Sequence, residues 1–256
     1  MSSPEEINSL AKQLDYYGYY SLLLTYHSLQ PDLLLKSALA ANNIEKIKFM
    51  IAVRTYSISP EYLSMIYGSY NELFKDRLMF NIVSGDIHSE ERSLENIPMF
   101  SEYLNTPEKR LEYTEQWIDK FINLNNIWGT PEFIMSGHSD KTKLMCSKLN
   151  ITHLAMLNMY MDDLNNTNRI INNKQMISMS IVVTNTVLEA KNFINNLSDA
   201  EKQWTICGTK DYVKDEIKKL YNLGVNEIIL SRCQADDNIH LTHELVKEII
   251  NNYNFV

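Results

Sequence analysis

Ile47-Lys48-Phe49-Met50-Ile51-Ala52-Val53 is apolar at every position but one, which is typical of a strand buried on both faces. The next segment, Pro60–Lys75, has the apolar spacing of an amphipathic helix, and a second apolar run follows at Leu78–Val83. Two buried strands joined by a helix predict parallel pairing through a right-handed crossover.

This unit of a buried strand and an amphipathic helix recurs along the chain. Strands are predicted at Ser21–Thr25, Ile47–Val53, Leu78–Val83, Glu132–Met135, His153–Leu157, Met176–Val183 and Glu227–Leu230. Helices are predicted from Ser3-Pro4-Glu5-Glu6 to Tyr17, with Gly18 as the stop, and at Asp32–Ala41, Pro60–Lys75, Pro107–Asn123, Lys141–Leu149, Asp162–Ile171, Leu188–Leu197, Asp211–Leu223 and His240–Asn251. A parallel sheet covered by helices predicts an α/β fold, the TIM-type (β/α) barrel.

The predicted barrel is one strand short, because a full barrel needs eight strands and seven are found. Since the chain opens on a helix, the missing strand is expected to be the first. No linker or low-complexity tract interrupts the chain, so residues 1–256 are predicted to form one domain. The two terminal strands would leave unpaired edges, and the uncharged Leu22–Leu24 predicts association as a homodimer or heteromer. Direct pairing of the two edges is the alternative.

Composition excludes several classes of function. The formal net charge of −8 and pI of about 5.3 disfavour a nucleic-acid partner. The polar, acidic N-terminus is unlike a signal peptide, and no apolar run reaches the length of a membrane span, so a cytoplasmic protein is expected. Three widely spaced cysteines, Cys146, Cys207 and Cys233, indicate reduced thiols. His240 and His243 lack the pattern of a zinc site, and no metal is predicted.

Polar residues gather where the predicted strands end, which is where parallel barrels carry their sites. Ser136-Gly137-His138-Ser139 runs straight into a helix, and free amides at such a terminus can bind a phosphate, with hydroxyl donors from Ser139 and Thr142. The alternative is an ordinary serine cap, which Asp140 favours because its carboxylate would repel a phosphate.

His27 and Arg54 follow the first two strands and are the candidates for chemistry, with Tyr26 beside them. Histidine can exchange a proton near neutral pH, and arginine can hold an anion with its planar donors. The alternative for each is a solvated loop residue.

Three stretches resemble the luciferase-like flavin-dependent monooxygenases, and among these the alkanesulfonate monooxygenases most closely. They are Lys46–Arg54 with Ser59-Pro60, Asp76–Asp86, which contains Phe80-Asn81-Ile82-Val83-Ser84-Gly85, and Phe133–Ser139. Weaker agreement lies in Lys109–Glu112, in Tyr26-His27, where many relatives carry a Glu-His pair, and in Gly208–Val225.

The resemblance implies a barrel that binds FMN or reduced FMN at its rim, is often a dimer and obtains reduced flavin from a separate reductase. It implies that Ser139 and Thr142 bind the flavin phosphate, with Ser136, Gly137 and His138 in the same loop. It also implies that Ser84, Gly85 and Asp86 lie beside the cofactor and that Arg54 lies near the ring or substrate.

Four departures from the family separate this chain from a sulfonate monooxygenase. The opening strand is absent, Leu111 replaces a tyrosine, and Ser178 and Ser180 stand where sulfonate enzymes carry arginine and histidine. The insertion that holds a mobile lid in larger relatives is reduced to Asp199–Gly208. The function expected is therefore a flavin-dependent monooxygenase or oxidoreductase acting on a small or peptide-linked substrate. The alternatives are a non-catalytic flavin-binding or partner subunit and a flavin-free scaffold.

Overall fold

The computed structural model describes residues 3–25, 32–85, 104–125, 128–165, 174–225, 227–231 and 239–253. The chain divides into two compact units, Met1–Gly137 and His138–Val256. The single domain expected from the sequence stays a prediction.

The first unit alternates helices and parallel strands, which confirms the predicted α/β fold class. Its elements are α1 (Pro4–Tyr17), β1 (Ser21–Leu24), α2 (Leu33–Ala41), β2 (Lys48–Arg54), α3 (Pro60–Phe74), β3 (Leu78–Val83), α4 (Pro107–Leu124) and β4 (Glu132–Ser136). Strand β1 pairs with β2, β2 with β3 and β3 with β4, all in parallel. The order of the strands in this sheet therefore follows their order in the chain, as consecutive β–α–β units require.

Helix α1 begins and ends where the sequence predicts. The Ser3 hydroxyl accepts from the Glu6 amide, and the Glu6 carboxylate accepts from the Ser3 amide, so two amides at the start of the helix are satisfied. Gly18 has a φ of 82°, a left-handed conformation that ends the helix at little cost for glycine. In the described residues, which start at Ser3, α1 is the first element.

An aromatic cluster fixes the orientation of the first sheet. The ring of Phe121 in α4 lies 5.8 Å from that of Phe80 and 5.4 Å from that of Phe133. Phe80 and Phe133 therefore point towards the helices. Since side chains alternate along a strand, Asn81 and Ser136 lie on the face away from the helices. Polar groups on that face lie towards the carboxyl ends of the strands, where the site is expected.

The amino ends of the same strands hold a separate polar triad. Glu132 accepts a hydrogen bond from the Tyr20 hydroxyl at 2.5 Å and pairs with Lys48, whose ammonium lies 4.8 Å from the centre of the Tyr20 ring. Burial, followed by the hydrogen bond to Glu132, raises the pKa of Tyr20. The triad joins β4 to β2 at the end of the sheet opposite the expected site.

The second unit is also built from helices and parallel strands. Its elements are α5 (Asp140–Leu149), β5 (Thr152–Met156), α6 (Leu157–Asn165), β6 (Gln175–Thr184), α7 (Val187–Asn195), α8 (Asp199–Lys202), β7 (Thr205–Thr209), α9 (Lys210–Asn222), β8 (Glu227–Leu230) and α10 (Ile239–Tyr253). The long strand β6 pairs with β5 and β8 through its first half and with β7 through its second. Ile177 and Met179 of β6 pack in one core with Val213 and Leu245 of the helices. Ser178 and Ser180 therefore lie on the face away from α9 and α10.

The described residues contain eight strands, one more than predicted. The seven predicted strands are present, and the additional one is β7, inside the segment interpreted as a reduced insertion. The sequence Thr205-Ile206-Cys207-Gly208-Thr209 is too short, and too interrupted by glycine, to stand out as a strand. Helix α6 begins at Leu157 instead of Asp162, because the chain passes from β5 into the helix without a loop. The four-residue helix α8 was also not predicted.

Two further sequence expectations can be compared with the described residues. Cys146 and Cys207 are buried thiols that are not joined in a disulfide, and burial raises the pKa of Cys146 to about 12, so it is a packed side chain and not a reactive one. Cys233 lies outside the described residues. None of the described helices has both the length and the apolar character needed to cross a membrane.

Glu248→Gln is expected to make a small, pH-dependent difference to stability. Hydrogen bonds from Lys210 and Lys214, at 2.7 Å and 2.5 Å, lower the pKa of Glu248 from 4.5 to about 2. A carboxylate with a lowered pKa in the folded state contributes stability above pH 4.5 and loses that contribution as the pH falls towards 2. Because both ion pairs are partly exposed, Glu248→Gln should lower the free energy of unfolding by less than about 1 kcal/mol at pH 7.

Urea unfolding of the wild type and Glu248→Gln at pH 7 and pH 3 measures this effect. The difference between their free energies of unfolding should be smaller at pH 3 than at pH 7. A difference that stays constant with pH would show that the ion pairs do not contribute through the charge of Glu248.

Candidate functional site

The carboxyl ends of β2, β3 and β4 bring polar side chains together. Arg54, Val83 and Ser136 are aligned in register, so they share the face away from the helices. The Ser136 hydroxyl donates to Asn81 Oδ1 at 2.9 Å, and Asn81 is buried. Asn81 was not proposed from the sequence as a site residue, although a polar residue within an apolar strand was a visible signal.

The backbone around Arg54 is held by a tight turn. The amide and hydroxyl of Ser57 both donate to the Arg54 carbonyl, at 2.9 Å and 2.8 Å. The buried hydroxyls of Thr55 and Thr114 are 3.0 Å apart and tie this turn to α4. Arg54 Nη1 donates to the Tyr56 hydroxyl at 3.2 Å. The guanidinium is therefore partly buried and oriented before any ligand binds.

Ser84 and Gly85 directly follow β3 and are partly exposed. Gly85 has a φ of 99°, which only glycine adopts readily, so the backbone can turn sharply at the end of the strand. Asp86, Tyr26 and His27 lie outside the described residues, and their roles stay predictions.

In the second unit, Ser139 caps helix α5. Its hydroxyl accepts from the Thr142 amide at 3.1 Å and lies 2.9 Å from the Thr142 hydroxyl. Thr142 is buried, whereas His138 and Ser139 are exposed. The cap expected as the alternative is therefore present.

The cap leaves one hydroxyl hydrogen that an anion could accept. Two hydroxyl groups carry two hydrogens, and the contact between Ser139 and Thr142 uses one of them. The other hydrogen can point to an external acceptor, beside the amides of the first helical turn. The positive end of the helix dipole favours an anion in this position. The donor set is therefore suited to a phosphate.

Lys143, which the sequence analysis missed, supplies a positive charge beside this helix terminus. Its ammonium lies 2.7 Å from Asp163 and 3.6 Å from Asp140, and its side chain is buried. Because Lys143 lies closer to Asp163 than to Asp140, it offsets only part of the repulsion that Asp140 would exert on a phosphate. Desolvation of the ring, followed by the charges of His153 and Lys143, lowers the pKa of His138. His138 is therefore mostly neutral at pH 7.

Serine hydroxyls lie close together on one face of the second unit's strands. Ser178 and Ser231 have their hydroxyl oxygens 2.9 Å apart, and Ser180 is buried on the same face. Within the described ranges, no group of three or more histidine, cysteine or acidic residues is arranged to hold a metal ion.

No family model matches the sequence, but solved structures match its fold. EDTA monooxygenase from Chelativorans sp. BNC1 is similar at a TM-score of 0.79 and 13% identity, over 99% of this chain and 87% of that one. The oxygenating constituent of 3,6-diketocamphane monooxygenase from Pseudomonas putida, solved with FMN, is similar at a TM-score of 0.68 and 15% identity, over 98% of this chain and 92% of that one. An F420-dependent secondary alcohol dehydrogenase, solved with an F420-acetone adduct, is similar at a TM-score of 0.68 and 12% identity, over 98% of this chain and 95% of that one.

These similarities show the fold. It is the barrel fold of the luciferase-like enzymes, as the sequence resemblance predicted. At such low identities they do not carry over an activity or a cofactor. The particular closeness to alkanesulfonate monooxygenases stays a prediction.

Proposed function

We propose that the protein is a flavin-dependent monooxygenase or oxidoreductase that binds FMN or reduced FMN. The observation that carries the proposal is the start of α5, where the Ser139 and Thr142 hydroxyls leave one hydrogen for an external anion. The fold supports it, because proteins of the same fold have been solved with FMN and with F420.

In this proposal, each rim residue has a defined task. Ser139 and Thr142 hold the phosphate, together with the backbone of Ser136, Gly137 and His138. Ser84 and Gly85 approach the cofactor with their backbone, as does Asp86. Arg54 and Tyr26 bind the ring or the substrate, and His27 exchanges a proton with the reacting group. Reduced flavin, when bound, supplies the electrons for oxygen chemistry, and a separate flavin reductase provides it.

The partly buried pair formed by Asn81 and Ser136 is assigned a positioning role. Its hydrogen bond fixes the carboxamide on the face that carries Arg54. The hydroxyls of Ser178 and Ser180 in β6 carry no charge to bind a sulfonate. We therefore favour a small or peptide-linked substrate without that group.

Reoxidation of reduced FMN by oxygen tests the proposal. The protein is mixed anaerobically with reduced FMN and then with oxygen, and the return of oxidised flavin absorption is followed. A functional oxygenase is expected to change this rate relative to free reduced FMN. Tight binding with an unchanged rate would identify a non-catalytic flavin-binding subunit. Absence of binding would contradict a flavin protein.

Arg54→Lys is expected to weaken FMN binding or slow reoxidation about tenfold. Lysine keeps the charge but loses the planar pair of donors, and a hydrogen bond to a charged group contributes about 1.5–3 kcal/mol. Tyr56→Phe removes only the hydroxyl that orients Arg54 and should change both values less than Arg54→Lys does. Wild-type values for both measurements in Arg54→Lys would remove Arg54 from the site.

A further inference from the structure

Arg77, the residue before β3, is a buried cation without an anionic partner. It is 8% exposed, and its Nε and Nη1 donate to the carbonyls of Ile47 and Ile44, at 2.6 Å and 2.8 Å. Both acceptors are uncharged, and no carboxylate of the described residues forms an ion pair with this guanidinium. Desolvation lowers the pKa of Arg77. Since buried charges are normally paired, the positive charge of Arg77 is left unbalanced.

One nitrogen of the same guanidinium also has no hydrogen-bond partner. Nη2 is buried, and none of the described residues accepts a hydrogen bond from it. Buried N–H groups are almost always hydrogen-bonded, and a guanidinium binds the oxygens of a carboxylate especially well. Arg77 therefore lacks both an acceptor and a negative charge, and one carboxylate would supply the two together.

A surface depression between the ends of α2 and α3 leads to Arg77. Its volume is about 420 Å³, and its walls include Ala41, Glu45, Leu73, Phe74, Lys75 and Arg77. Small-molecule sites have volumes of about 300–1,000 Å³. Two of the wall residues are cationic and one is anionic, so the walls carry one net positive charge. The depression therefore suits a molecule with one negative charge and an apolar part.

Two helices end at this depression, and free carbonyls at the end of a helix repel an anion. The last four carbonyls of α2, those of residues 38–41, each accept a hydrogen bond from Asn42, Asn43 or Ile44. Helix α3 has Lys75 as its C-cap, which places a positive charge at its negative end. The repulsion from both helix ends is therefore weakened.

We propose that this depression binds a small monocarboxylate. The carboxylate accepts hydrogen bonds from Arg77 Nη2 and from the Lys75 ammonium, and a short hydrocarbon part packs against Leu73 and Phe74. The site lies at the amino end of β3, whereas the flavin is proposed to bind at the carboxyl ends of the strands. The monocarboxylate site therefore does not depend on the proposed flavin function.

The melting temperature in sodium butyrate, compared with sodium chloride at the same ionic strength, tests the proposal. Butyrate is the probe because it combines one carboxylate with a short hydrocarbon chain. At about 50 mM, butyrate should raise the melting temperature by about 2–4 °C more than chloride does, because a ligand of the folded protein stabilises it.

Three variants locate this effect. Lys75→Asn removes the ammonium, and asparagine tolerates the left-handed backbone at this position, where φ is 42°. This variant should need about tenfold more butyrate for the same rise, because it loses a hydrogen bond between charged groups. Arg77→Gln should show no additional rise in butyrate. Lys46→Asn is the matched control, since Lys46 is an exposed lysine outside the depression, and it should respond like the wild type.

Equal melting temperatures of the wild type in butyrate and in chloride would overturn the proposal. A butyrate effect that is undiminished in Lys75→Asn or Arg77→Gln, or equally reduced in Lys46→Asn, would overturn it as well. If Arg77→Gln does not fold, because its contacts with two carbonyls are lost, the comparison of Lys75→Asn with Lys46→Asn decides.

Discussion

Ser139→Asp is expected to abolish FMN binding while leaving helix α5 intact. Aspartate caps helices as well as serine does, so the Thr142 amide keeps an acceptor. The added carboxylate would lie where the phosphate binds. Two like charges about 4 Å apart near a protein surface repel by on the order of 4 kcal/mol, roughly a thousandfold in affinity. Titration of the variant with FMN, followed by flavin fluorescence, measures the loss.

Two further variants make this result specific. Ser139→Ala removes the hydroxyl without adding charge and should weaken binding about tenfold. Ser198→Asp makes the same substitution at the cap of α8, in the same unit, and should bind FMN like the wild type. Wild-type affinity in both Ser139 variants would place the phosphate elsewhere.

Phe121→Ala is expected to lower the free energy of unfolding by about 3–5 kcal/mol. Phe121 is fully buried and packs against Phe80, Phe133 and Trp117, so its removal leaves a cavity between α4 and the sheet. Urea unfolding monitored by circular dichroism measures the loss.

Leu124→Ala is the control for this cluster, because Leu124 lies on the same helix and is 41% exposed. The free energy of unfolding of Leu124→Ala should be lower than that of the wild type by no more than about 1 kcal/mol. If Phe121→Ala is too unstable to purify, Phe121→Leu is measured instead. It should be folded and should lose less of the free energy of unfolding. A loss below about 1 kcal/mol in Phe121→Ala would contradict the role given to the aromatic cluster.

The fold was predictable where one local signal dominated. Strands β2 and β3 are apolar along nearly their whole length, and α1 has a cap, a proline and a terminal glycine, each with its own physical effect. Strand β7 was missed because its five residues gain their stability from pairing with β6, a contact between residues distant in sequence. Tertiary pairing of this kind leaves little trace in the local pattern.

The candidate site was predictable in part. The cap at Ser139 follows from a serine before a helix and is present. Lys143 was missed, since its importance depends on Asp163, twenty residues away on another helix. Asn81 was missed because the face to which a strand residue points is known only once the neighbouring aromatic residues are placed.

The affinity of the wild type for FMN compared with riboflavin tests the central claim most directly. The two molecules differ only in the phosphate, so their difference in affinity isolates the site at the start of α5. The account predicts that FMN binds at least about tenfold more tightly than riboflavin, measured by isothermal titration calorimetry. Equal affinities, or no binding of FMN, would contradict it.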